Sequence, residues 1–202
     1  MMNYPSFFND IPSIKLQDPL SNFLGAFELG LVEFSYLDIV KSAGHSCPTV
    51  MGAYLSTFKA LEMLYQNELP QRGNIAVQLK ADSKEGVTGV IASVITQITG
   101  ATELTGFKGM KGNFSRINLM EFNADISASI TFKRLDTEKT VEVTYNPSSI
   151  PINPKQQELM AKIMQQTVTN QEKKEFARLW QQRVESIFLA RENLILVEEI
   201  LV

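Results

Sequence analysis

PTVMGAYLSTFKALEMLY, residues 48–65, decides how the rest of the chain is read. Val50, Met51, Tyr54, Leu55, Phe58, Leu61 and Tyr65 recur at three- and four-residue spacings, the signature of one apolar helical face. Pro48 suits the first helical position, where no amide hydrogen is missed. Pro70 and Gly73 close the region downstream. Asn74 to Lys80 then changes period, with Ile75, Val77 and Leu79 alternating against polar neighbours as in a half-buried strand.

Outward from that core, residues 86–99 are apolar and β-branched, which suits helix or strand. The helical spacing of Val90, Ile91, Val94, Ile95 and Ile98 favours a second buried helix, with Gly100 past its end. Strand signals follow at 116–122, at Ile126-Ala128-Ile130-Phe132, and at Val141-Val143-Tyr145. The last two form a hairpin around residues 136–139. Residues 155–166 and 171–189 read as a C-terminal helical pair, with Asn170 as candidate cap. The apolar tail from Leu194 onward calls for burial, as an added strand or in a subunit interface. Upstream, residues 1–17 read as an irregular arm exposing Phe7 and Phe8. A short helix is expected from Asp18-Pro19, a strand over 31–36, and a helical turn at 38–42 closed by Gly44. The class is α+β, an antiparallel meander packed by helices. The expected division is a core over 1–147 and a helical extension over 148–202 packed on it.

With 202 residues, 44% hydrophobic, and 19 basic against 22 acidic side chains, the chain suits a globular protein that needs no staple. Its mild acidity argues against a nucleic-acid binder, which would carry a basic stripe. No apolar run reaches the length of a membrane span. The first residues lack the pattern of a secretory leader. One cysteine fits a reducing, cytoplasmic setting.

The only histidine and the only cysteine stand two positions apart, in Gly44-His45-Ser46-Cys47-Pro48. Cys47 falls at the cap of the long helix, whose positive end and free amides favour a thiolate. A thiol and an imidazole so placed are two metal ligands, a nucleophile with its base, or a packed and capping pair. Glu33 and Asp38 are the upstream acids available to complete or orient a metal shell. A second candidate is the glycine-rich loop 106–116, where Lys108, Lys111 and Arg116 supply charge for an anionic ligand.

Gly-His45-Ser-Cys47-Pro48 opening a long helix, Ile98-Thr-Gly-Ala-Thr102, and the Gly-x-Lys-Gly-x-x-Gly-Asn loop together resemble the E-subunit family of formylmethanofuran dehydrogenase. Its members carry His-Gly-His-x-Cys-Pro-Gly, then Thr-Gly-Cys-Thr, then Gly-Lys-Gly-Asn before a hairpin. Here Ala43, Thr49 and Ala101 replace the first histidine, a glycine and the later cysteine. The four-cysteine zinc domain of many members has no counterpart. The resemblance implies an α+β core, commonly dimeric, with His45 and Cys47 as ligands to a transition metal, zinc first. A metal-free thiol enzyme and a non-catalytic assembly partner are the alternatives.

Overall fold

The computed structural model describes residues 3–200. The chain opens with a 3-10 turn at Ser6–Asp10, where Phe7 and Phe8 pack into the core. Phe8 meets Tyr36 edge-on at 4.9 Å between ring centroids. The expected exposed pair is therefore part of the core, because two aromatic rings find a matching aromatic wall behind them.

β1 (Ile14–Gln17) and β2 (Leu31–Phe34) form a separate antiparallel pair. Between them lies α1 (Pro19–Phe23), capped by Asp18 through the amides of Leu20 and Ser21. α2 (Tyr36–Ala43) starts in a reciprocal capping box between Ser35 and Asp38 and ends on Gly44 at φ +75°. α3 (Pro48–Tyr65) follows with the predicted bounds.

α3 is buried well beyond one stripe. Gly52, Ala53, Ser56, Thr57 and Ala60 are buried as well. The helix touches α2 and several elements further along the chain. Its small residues let those neighbours approach closely, which a one-sided apolar pattern does not reveal.

β3 (Ile75–Leu79) is followed by α4 (Thr88–Thr99), closed by Gly100 at φ +77°. The strand expected over 116–122 shrinks to β4 (Met120–Glu121), which joins β3 in parallel. β5 (Ile130–Arg134) and β6 (Thr140–Tyr145) form the hairpin, with Phe132 opposite Val141. The strand signal at Ile126 and Ala128 gives no ladder, since β3, the partner, ends at Leu79 opposite Ile130. α5 (Pro154–Met164) and α6 (Asn170–Leu189) are the C-terminal pair. Thr169, rather than Asn170, caps α6, in a second capping box with Glu172.

After α7 (Arg191–Leu194), β7 (Ile195–Ile200) pairs antiparallel with β6. The apolar tail is thus an added strand up to Ile200, and its last two residues lie outside those described. The five-stranded sheet has the order β4-β3-β5-β6-β7. The antiparallel meander is β3-β5-β6-β7, and the class is α+β. α3 lies against β6 and β7, with α4 and α6 also touching it. Among the described residues, no helix is long and apolar enough to cross a membrane.

Candidate functional site

The short link from α2 to α3 sets the two residues that the sequence places together in different surroundings. His45 is exposed, and its Nδ1 donates to the carbonyl of Ala43 at 3.0 Å. A carbonyl only accepts, so Nδ1 carries a proton in this bond. Cys47 is buried and caps α3, its Sγ accepting from the amide of Val50 at 3.4 Å. Among the described residues, the two side chains share no hydrogen bond.

Ser46, between them, is held from three sides. Its hydroxyl bonds that of Tyr36 at 2.9 Å. Its carbonyl accepts from Trp180 Nε1 at 2.9 Å and from Gln181 Nε2 at 3.2 Å. α6 therefore grips the loop that carries His45 and Cys47. Burial pushes the phenols of Tyr36 and Tyr145 up, and the nearby Cys47 thiol adds to the rise. Both stay protonated at neutral pH.

Neither upstream acid is brought to this pair. Glu33 takes the hydroxyl of Ser13. Asp38 is committed at the far end of α2, accepting from Ser35 and from Lys41 Nζ at 3.1 Å. The Ser35 hydroxyl is the main reason its carboxyl lies below the usual range. Among the described residues, no group of three or more His, Cys, Asp or Glu is gathered to hold a metal. One copy of the chain offers two donors, short of the four of a structural zinc site.

Beside the Cys47 cap, a cleft of about 670 Å³ opens between the first turns of α3 and α4 and the facing ends of β3 and β5. Ala53, Leu79, Ile91 and Ile130 make apolar walls, while Lys80 and Glu85 supply opposite charges. Tyr145 forms one side, its hydroxyl donating to the Pro48 carbonyl at 2.9 Å. Gly52 makes this possible: a Cβ there would sit 2.2 Å from the Tyr145 ring. Ser56 also lines the cleft, and its buried hydroxyl has no partner among the described residues. Glycine inside a helix was the one local sign of this close approach.

The glycine-rich loop does not gather its three cations. Lys108 and Lys111 are exposed, whereas Arg116 is buried and turned inward. Arg116 Nη2 meets Asp18 Oδ1 at 2.6 Å, and Arg72 Nη1 meets Asp18 Oδ2 at 2.9 Å. Met110 and Asn113 bond each other's backbones. A Cβ on Gly109, at φ +88°, would lie 2.6 Å from the Asn113 carbonyl. That glycine closes the loop on itself.

A family model described as FmdE, molybdenum formylmethanofuran dehydrogenase operon, matches residues 43–196. The chain belongs to the FmdE family. The match begins two residues before His45 and takes in the cleft, the glycine loop and α6. FmdE membership agrees with the motifs at the start of α3, and it fixes neither a ligand nor a reaction. No curated protein matches the chain.

Proposed function

We propose that this FmdE protein binds a small organic anion in the cleft at the starts of α3 and α4. The cleft itself carries the reading. Its volume of about 670 Å³ suits a small molecule, and its walls are mainly apolar with a few polar groups. Two helix N-termini open onto it and Lys80 stands at its edge, which favours a carboxylate or phosphate end.

The test compares carboxylates of short aliphatic and aromatic chains with their neutral amides, read by NMR shifts of residues around Tyr145. Carboxylates should shift these resonances saturably in the wild type and about tenfold more weakly in Lys80→Met. Equal binding of the amides, or no saturable shift with any carboxylate, sinks the reading.

A second reading rests on the His45 hydrogen bond. Metal-binding histidines commonly donate the other ring nitrogen to a carbonyl, as Nδ1 does to Ala43. In this reading His45 Nε2 and Cys47 Sγ hold a transition metal, zinc first, and solvent or a second copy supplies the other ligands. Elemental analysis of untagged protein decides it. About one metal per chain, lost in His45→Ala and Cys47→Ser, supports it. Wild type that stays metal-free after incubation with zinc rejects it. A homodimer in the cytoplasm completes this proposal, and sedimentation with and without zinc tests whether the metal bridges copies.

A further inference from the structure

Asp18 is 4% exposed and faces two guanidinium groups. Its Oδ1 accepts from the amides of Leu20 and Ser21 and from Arg116 Nη2. Its Oδ2 accepts from Arg72 Nη1. Arg72 also donates from Nε and Nη2 to the carbonyls of Ile98 and Gln97, at the C-terminal end of α4. Arg116 is different. It is 6% exposed, and among the described residues only its Nη2 has a partner, while its buried Nη1 has none.

Asp18 already accepts from four donors, and Arg116 Nη1 makes no bond to it. Nor can the guanidinium turn away. A Cβ on Gly73 would lie 1.9 Å from Arg116 Nη1, and one on Gly100 would lie 2.8 Å from it, so Nη1 is seated against two bare backbones. Two positive charges oppose one negative charge in a place where an orphaned charged donor is costly. Beside them is a cavity of about 190 Å³ bordered by Arg72, Arg116, Gln71, Asn74, Gly73 and Phe114. That space exceeds a single water's share several-fold. The polar side chains that border it are two arginines and two amides.

We infer that the cavity between Arg72 and Arg116 is a phosphate site, taking inorganic phosphate or the terminal phosphoryl group of a small molecule. The phosphate oxygens accept from Arg72, Gln71 and Asn74, and their charge balances the buried Arg116 guanidinium behind them. The site is separate from the cleft at α3 and does not depend on what binds there.

The test titrates the full chain with inorganic phosphate, and in a second arm with glycerol phosphate, at constant ionic strength in chloride. The readout is the NMR shifts of the Gly73, Asn74 and Phe114 amides. A saturable shift in either arm is expected, and the tighter arm identifies the free or esterified form. Asn74→Asp, which sets a carboxylate in the cavity while leaving the Asp18 pairs intact, should weaken binding at least about tenfold. Arg116→Met should do the same, and Asn74→Asp keeps the test valid if that variant fails to fold. Replacing Lys108 and Lys111 by Ser should change affinity less than about twofold. No saturable shift in either arm overturns the inference. So does binding that survives Asn74→Asp, or that is lost with the two lysines.

Discussion

His45 and Cys47 are near neighbours in sequence, and the fold exposes one and buries the other. Arg72 and Arg116 are distant in sequence, and the fold brings both onto Asp18. In the first region a short link runs from surface to core, so consecutive residues fall on either side of that boundary. In the second, chain segments after β1, before β3 and before β4 converge, and one buried carboxylate organises them. Proximity along the chain is therefore weak evidence for shared surroundings where the backbone turns inward. A buried charge is better evidence, because it must find partners wherever they lie.

The largest expected effect is at Asp18. Asp18→Ala leaves two guanidiniums without their anion and should cost about 3 kcal/mol in urea denaturation. The Asp18 carboxyl is held below its ordinary value. Burial opposes its ionisation, but the Arg72 hydrogen bond, the Ser21 amide and the charges of Arg116 and Arg72 outweigh it. A carboxyl lowered on folding stabilises above its unfolded value of 3.8, and that stability is lost as pH falls through the lower folded value. The stability gap between wild type and Asp18→Asn should therefore be full at pH 7 and narrow on acidification below 3.8. A gap independent of pH would break the comparison.

Next in size is Gly52→Ala. The added methyl meets the Tyr145 ring, so the substitution should destabilise by about 1–3 kcal/mol despite alanine's better helix propensity. It should also shift the resonances lining the cleft. A neutral or stabilising result would mean that Tyr145 moves freely, and with it the cleft wall.

Trp180→Phe keeps most of the packing and removes one donor to the Ser46 carbonyl. The expected cost is about 1 kcal/mol. The sharper readout is Cys47 alkylation, which should speed up if α6 is what holds the loop closed. His45→Ala should have the smallest effect, within about 0.5 kcal/mol, since an exposed imidazole with one local hydrogen bond contributes little to packing. A large loss at His45 would show that it is coupled to Cys47 after all.

Much of the fold was legible along the chain. α3, β3, α4 and the C-terminal helices follow from period and caps, and Gly44 and Gly100 close their helices in the left-handed conformation. These are local matters of propensity and of orphaned amides and carbonyls. Three features were not legible, each for the same reason. Phe7 and Phe8 look exposed until Tyr36 is set behind them. The alternation at Ile126 and Ala128 looks like a strand until β3 runs out. Arg116 looks like part of a solvent loop until Asp18 draws it inward.

The sequence alone determined where most helices and strands begin and end, the α+β class, and the placing of Cys47 at a helix start, since all of these depend on residues within a few positions of each other. Only the tertiary structure decided which side chains share a site. It fastened the loop carrying Cys47 to Trp180 and Gln181, opened the cleft where Gly52 admits Tyr145, and left Arg116 with an unanswered donor. Packing and charge pairing act between segments far apart in the chain, and no local pattern encodes which segments will meet.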